Sequence, residues 1–143
     1  MRACGPTVDI LVIEDDPGIA DFLVDLLRYE GYRVASLAEG ATMEEVVASP
    51  PGLIFLDLML PDPDGAEICR RLRAQEATRA VPIVIMTAAS PAVRMQRLRG
   101  CAHDALLPKP FDVDDVLALA ARYLRPATAQ PATDEVGQRA EGE

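Results

Sequence analysis

Acidic side chains, a hydroxyl group and a lysine each follow a short apolar run in this sequence. Glu14 and Asp15 come after DILVI, Asp57 ends LIFLD, Thr87 follows VPIVIM and Lys109 follows ALLP. Carboxylates that lie close together repel one another and attract a hard cation such as Mg²⁺, which binds oxygen ligands and often phosphate oxygens. The combination indicates phosphoryl transfer, with Asp57 as nucleophile and Glu14 and Asp15 beside the metal. Lys109 would add a compact cation and Thr87 a hydrogen-bond donor.

Each of these residues also has an ordinary structural interpretation. Acids after a strand often cap the next helix, and Asp16 is expected to do so for the first helix. Asp57 alone would fit a helix cap equally well, Thr87 alone a turn, and Lys109 alone a solvated surface. Their joint placement at the ends of four strands favours the chemical interpretation.

The positions of these residues depend on an alternation of strands and helices. Short apolar runs bounded by turn residues are typical of strands buried on both faces of a parallel sheet. Alternating strands and helices with short connections predict right-handed crossovers and helices on both faces of that sheet. The predicted strands are Val8–Glu14, Tyr32–Leu37, Leu53–Asp57, Val81–Met86 and Ala105–Pro108. The predicted helices run from Pro17 to Gly31, from Ala41 to Ala48, from Asp64 to Ala74, from Ser90 to Gly100 and from Asp112 to Leu124.

Five side chains outside this set receive structural rather than chemical interpretations. His103, the only histidine, is expected at the surface rather than in a phosphorelay. Met43 and Met95 are expected in the core, and Asp112 with Asp115 resembles a capping box.

Length and charge limit the class of protein. The 143 residues suit one domain, predicted over residues 8–125, between a loose leader at 1–7 and a disordered tail at 126–143. A net charge of -9 argues against direct contact with nucleic acid or with anionic membranes, and no apolar run is long enough for membrane insertion. Cys4, Cys69 and Cys101 suggest neither a disulfide framework nor a zinc site. We expect a cytoplasmic protein.

Four segments together resemble the receiver domain of bacterial two-component response regulators. They are LVIEDDPGI, LDLMLPDPDG, IMTA and LLPKPF, and the likeness covers about Asp9 to Leu124. The resemblance implies a flavodoxin-like three-layer α/β sandwich, with five parallel strands in the order 2-1-3-4-5 and five helices on both faces.

The resemblance also implies a role for each candidate residue. Asp57 would be the phosphoacceptor, supplied by a histidine kinase, a histidine phosphotransfer protein or a small phosphodonor. Mg²⁺, with Mn²⁺ as the alternative, would bind Asp15, Asp57 and the backbone carbonyl of Met59, with Glu14 acting partly through water.

On the same grounds, Thr87 and Lys109 would bind phosphoryl oxygens, and the Lys109–Pro110 peptide bond would be cis. Thr87 would shift on phosphorylation. Family members usually carry Tyr or Phe at the position of Leu106, where the ring moves with the threonine. A leucine can repack there but presents no flat ring to a partner.

The expected output is contact with an unknown downstream protein, as in a stand-alone receiver. The expected surface is the fourth helix, fifth strand and fifth helix, where a homodimer could form. Arginines 94, 97 and 99 would then meet aspartates 114 and 115, although a solvated mixed-charge face fits equally well.

Two other functions stay open at this stage. One is a pseudo-receiver that binds partners without phosphorylation. The other is an aspartyl-phosphate phosphatase or phosphotransferase, although Met59 stands where such an enzyme would place a second acid. We expect no enzyme activity beyond the chain's own phosphorylation and dephosphorylation.

Overall fold

The apolar runs of the sequence form the strands of one parallel sheet. A computed structural model describes residues 8–38, 43–61 and 63–124, so the predicted leader at 1–7 and tail at 126–143 lie outside the described residues. The strands are β1 (Ile10–Ile13), β2 (Val34–Leu37), β3 (Leu53–Asp57), β4 (Ile83–Thr87) and β5 (Ala105–Pro108). The helices are α1 (Pro17–Tyr29), α2 (Met43–Ala48), α3 (Gly65–Arg73), α4 (Pro91–Arg97) and α5 (Val113–Tyr123).

The strand order is β2-β1-β3-β4-β5, and every neighbouring pair is parallel. This order and the five helices confirm the flavodoxin-like fold. β3 is central and all five of its residues are buried, because apolar layers cover both faces of the strand. Ile13 pairs with Leu56, so the residues that follow them, Glu14 and Asp57, lie level at the carboxyl edge of the sheet.

Alternate residues of each strand enter two separate hydrophobic cores, because successive side chains point to opposite faces. The first, here called the α3-side core, contains Leu11, Ile13, Ile54 and Leu56 together with Ile68, Cys69 and Leu72 of α3. The second, the α1-side core, contains Ile10, Val12, Leu53 and Phe55 together with Leu23 and Leu27 of α1 and Val116 and Ala120 of α5.

The helix starts mostly follow the sequence signals. Asp16 caps α1 as predicted, and its Oδ1 accepts hydrogen bonds from the Gly18 amide at 2.9 Å and the Ile19 amide at 3.2 Å. The capping box predicted at Asp112 is wrong, since that side chain makes no capping bond. The backbone carbonyl of Asp112 accepts from the Asp115 amide instead, so the amide that a capping box would use already has a partner.

Helix α4 differs from its prediction. Met95, expected in the core, is 74% exposed, and Val93 is 40% exposed. Residues two apart on a helix point about 200° from each other, so Val93 and Met95 cannot share one inward face. The Met43 side chain lies outside the part of the chain that is described. Across residues 8–38, 43–61 and 63–124, no helix has the length and apolar character needed to cross a membrane.

Candidate functional site at the carboxyl edge of the sheet

Three carboxylates gather where β1 and β3 end. Glu14 and Asp15 follow β1, and Asp57 is the last residue of β3. One carboxylate oxygen from each of the three lies within 4.8 Å of the other two. Glu14 and Asp57 are buried, whereas Asp15 is exposed, so the group opens to solvent on one side.

Glu14 lies deepest in this group, with 2% of its surface exposed. Its Oε1 accepts a hydrogen bond from Lys109 Nζ at 2.8 Å, and its Oε2 accepts one from the Asp16 amide at 3.1 Å. Burial raises the pKa of the Glu14 carboxyl, and the hydrogen bonds from Lys109 and Asp16 oppose that rise. Both oxygens therefore have partners within the protein.

Lys109, which directly follows β5, brings positive charge into the site. Its Nζ lies 3.4 Å from Asp57 Oδ1 in addition to its bond with Glu14. Burial disfavours the ammonium, but the hydrogen bond to Glu14 and the negative charge of Asp57 outweigh it and raise the pKa of Lys109. The lysine therefore stays charged between the two acids. The Lys109–Pro110 peptide bond is cis, which confirms that prediction.

Asp57 is 4% exposed and faces an open cleft. Its Oδ1 accepts a hydrogen bond from the Met59 amide at 3.2 Å. The chain therefore folds back over the carboxylate immediately after β3, and Met59, 47% exposed, forms part of the cleft wall. The cleft is lined by Glu14, Asp15, Asp16, Pro17, Ile19, Asp57, Met59, Ala88 and Lys109.

Thr87 closes β4 at the same edge but is almost fully buried. Its Oγ1 accepts a hydrogen bond from the Ala89 amide at 2.9 Å, and its carbonyl accepts one from the Lys109 amide at 2.8 Å. The latter bond fixes the end of β4 against the segment that carries Lys109. On β5, Leu106 pairs with Ile85 and packs, half-buried, against the α3-side core.

Gly65 is a positioning residue that the sequence reasoning did not single out. A Cβ atom at this position would lie 2.2 Å from the Asp57 carbonyl oxygen and 2.7 Å from Leu58 Cα. The Gly65 amide donates to the Leu58 carbonyl at 2.9 Å. Glycine thus allows α3 to begin directly against the strand end that carries Asp57. The available signal was the Asp64–Gly65 pair, which was interpreted only as a helix start.

Two side chains that are not part of the cleft lining have partners within the chain. Asp64 caps α3 through the Glu67 amide, but it is more than a cap, because its Oδ2 also accepts from Arg97 Nη1 at 3.1 Å. Arg97 thus has an ion-pair partner within the chain. His103 is half-buried outside the cleft, with Nδ1 3.2 Å from the Cys101 carbonyl oxygen.

The doubly wound sheet, with an acidic cleft at its carboxyl edge, defines a flavodoxin-like domain. The family model of the response regulator receiver domain matches residues 10–121. The chain therefore belongs to the receiver-domain family of two-component response regulators.

Known relatives agree with this assignment. The chain is 39% identical over 119 residues to the DNA-binding dual master transcriptional regulator RpaA of Synechocystis, covering 81% of this chain and 48% of RpaA. It is 36% identical over 124 residues to the DNA-binding response regulator MtrA of Mycolicibacterium smegmatis, covering 86% and 53%. The chain thus spans about half the length of these relatives.

A solved receiver domain shows the same architecture. It belongs to the sensor histidine kinase PA1611 of Pseudomonas aeruginosa and was crystallised with a magnesium ion coordinated in its active-site cleft. The two chains superpose with a TM-score of 0.76 at 30% identity, over 81% of this chain and 96% of the other.

Proposed function

We propose that this receiver domain is the phosphoacceptor of a two-component or phosphorelay system and that Asp57 takes the phosphoryl group. The observation that carries the proposal is the meeting of three carboxylates with one ammonium, in which Lys109 Nζ lies 3.4 Å from Asp57 Oδ1. A buried acid that faces an open cleft can act as a nucleophile, and a fixed cation beside it can stabilise the charge on phosphoryl oxygens.

The transfer would proceed by attack of an Asp57 carboxylate oxygen on phosphorus. The bond from phosphorus to the donor nitrogen of a phosphohistidine, or to the donor oxygen of an acyl phosphate, breaks as the aspartyl phosphate forms. Lys109 would turn from Glu14 and Asp57 towards a phosphoryl oxygen. The Thr87 hydroxyl would donate a hydrogen bond to a second phosphoryl oxygen, since its bond with the Ala89 amide uses only an oxygen lone pair. The chain's chemistry would be limited to gaining and losing this group.

The donor set fits a hard divalent cation. Asp15, Asp57 and the backbone carbonyl of Met59 would hold Mg²⁺, or Mn²⁺, which accepts the same ligands. Glu14 would act through water, because both of its oxygens already accept hydrogen bonds from the protein. When bound, the ion supplies positive charge that offsets the carboxylates and the incoming phosphoryl oxygens. The magnesium ion in the PA1611 receiver domain supports this assignment by analogy.

The partners would be a histidine kinase or histidine phosphotransfer protein on the input side and a downstream protein on the output side. Phosphorylation would act through Thr87 and Leu106 on the face formed by α4, β5 and α5, which also offers a homodimer surface. On α4, Val93 and Met95 expose apolar side chains. Exposed apolar side chains of this kind suit reversible binding of another protein.

Intact-mass measurement after incubation with acetyl phosphate and Mg²⁺ tests the proposal. The unmodified chain should gain one phosphoryl mass, and Asp57→Asn should gain none. Asp21→Asn is the matched control, because Asp21 is an exposed acid on the outer side of α1. It should be labelled like the unmodified chain, and a chelator should suppress labelling in both. Absence of labelling in the unmodified chain, or equal labelling of Asp57→Asn, would overturn the proposal.

A further inference from the structure

Two cysteines meet inside the α3-side core, away from the acidic cleft. Cys69 lies on α3 and is 0% exposed, and Cys101 lies between α4 and β5 and is 7% exposed. Both are free thiols, and both belong to the same cluster of buried side chains. The two thiols therefore lie in one core, with Cys101 on the side nearer the solvent.

Hydrogen bonds from α3 hold the chain on either side of Cys101. Arg70 Nη1 donates to the Arg99 carbonyl at 3.0 Å, and Arg73 Nε donates to the Ala102 carbonyl at 2.6 Å. Arg73 also bonds the Asp104 carboxylate at 2.7 Å. These contacts fix the segment that carries Cys101 against the helix that carries Cys69, so both thiols are held in the same part of the core.

The charges around the pair favour ionisation of one thiol. Interaction with the Cys69 thiol lowers the pKa of Cys101 to about 7 despite burial, and His103 and Arg70 lower it further. The same interaction, together with burial, raises the pKa of Cys69. One sulfur can therefore carry negative charge while the other keeps the shared proton. A thiolate, rather than a thiol, is the form that oxidants attack.

We propose that Cys69 and Cys101 form a redox-active dithiol that a hydroperoxide oxidises to an intramolecular disulfide. The Cys101 thiolate attacks a peroxide oxygen, the O–O bond breaks, and after proton uptake a sulfenic acid and one water form from hydrogen peroxide. Cys69 sulfur then attacks the Cys101 sulfur, and the hydroxyl leaves as a second water with the Cys69 proton. Two thiols are oxidised by two electrons and one peroxide is reduced, and a reducing thiol reverses the change.

Closing this disulfide would add a covalent link between α3 and the connection from α4 to β5, which Arg70 and Arg73 already join by hydrogen bonds. The link would restrict motion of the segment that follows α4 relative to the sheet. The dithiol shares no side chain with the acidic cleft. The proposal therefore stands or falls independently of phosphorylation at Asp57.

The test is mild oxidation of the full, folded chain with one equivalent of hydrogen peroxide, followed by alkylation and tryptic mapping. The three cysteines fall on separate tryptic peptides, at residues 3–28, 34–70 and 100–122. The expected product is a loss of two hydrogen masses and a link between peptides 34–70 and 100–122 that dithiothreitol removes. Failure of this link to form in the folded chain, or a link that forms only in urea, would overturn the proposal.

Variants assign the order of the steps. Cys4→Ser should form the link as the unmodified chain does, because Cys4 has no part in it. Cys69→Ser should accumulate a sulfenic acid at Cys101 that dimedone traps, and Cys101→Ser should not yield one at Cys69. Dimedone labelling at neither cysteine, or equally at both, would contradict the assigned roles. The measurement on the unmodified chain decides the disulfide itself even if a serine variant fails to fold.

Discussion

Helices α1 and α4 begin with the same sequence device and are attached to the sheet in different ways. Each has a proline as its first residue, preceded by a residue whose side chain accepts a backbone hydrogen bond. These pairs are Asp16–Pro17 in α1 and Ser90–Pro91 in α4. The 13 residues of α1 include four buried ones, whereas the seven of α4 include none. The start signal therefore sets where a helix begins but not how firmly it is held.

Polar contacts hold α4 in place, whereas apolar packing holds α1. Arg97 pairs with Asp64 at 3.1 Å, and Arg94 Nη1 donates to the Ala89 carbonyl at 3.3 Å. The nearest buried anchor, Leu98, lies just beyond the helix. Solvent can replace such polar contacts, so α4 should open and shift at lower free energy than α1. The firm helix flanks the acids, and the loosely held one lies on the proposed output face.

The largest expected difference concerns side chains of similar size on the two helices. Leu23→Ala removes a fully buried side chain of α1 and should lower the free energy of unfolding by about 2–5 kcal/mol. Met95→Ala on α4 should change it by less than about 0.5 kcal/mol, because Met95 is 74% exposed. Urea denaturation followed by circular dichroism measures both. Equal losses would show that α4 packs as tightly as α1.

Removing the N-terminal cap should also lower the free energy of unfolding more for α1 than for α4, by a smaller margin. Asp16→Ala removes bonds to two amides, at 2.9 Å and 3.2 Å, and should cost about 1 kcal/mol. Ser90→Ala removes one bond of 3.4 Å and should cost only about 0.5 kcal/mol or less. Urea midpoints compare the two variants, and hydrogen exchange should show faster opening at Ile19 in Asp16→Ala. A larger cost for Ser90→Ala would contradict the comparison.

The smallest effect is expected from the ion pair between α4 and the start of α3. A double-mutant cycle of Arg97→Gln and Asp64→Asn should give a coupling energy of about 0.2–1 kcal/mol, because both side chains are partly exposed. The asparagine keeps the oxygen that caps α3, so the cycle isolates the pair. The coupling should shrink at high salt. A salt-independent coupling would show that shape rather than charge joins the two residues.

Strand ends were the part of the molecule that the sequence specified best. β3 was predicted at Leu53–Asp57 and is found there, because a strand covered on both faces must be apolar throughout and the first charge ends it. The placement of Glu14 level with Asp57 follows from this alternation and from the parallel register. The order of the strands came from the resemblance, since alternation alone does not fix which strands are neighbours.

Contacts between distant side chains were not predictable in the same way. Lys109 and Glu14 are 95 positions apart, and no local pattern shows that the ammonium bonds that carboxylate. The bond from Arg97 to Asp64 was not predictable for the same reason, since the sequence left a dimer contact and a solvated face equally open for this arginine. Met95 was misplaced because helical spacing gives no orientation for a seven-residue helix without a consistent apolar face.

The bond between Lys109 and Glu14 also bears on how the protein is made. The ribosome builds β1 and β3 early, so a growing chain carries Glu14 and Asp57 long before it carries residue 109. Until then the buried Glu14 carboxylate lacks the ammonium that pairs with it in the finished domain, and burying an unpaired charge is costly. A nascent chain should therefore leave this edge of the sheet hydrated and loose, and the site should become whole only after β5 and Lys109 have been made.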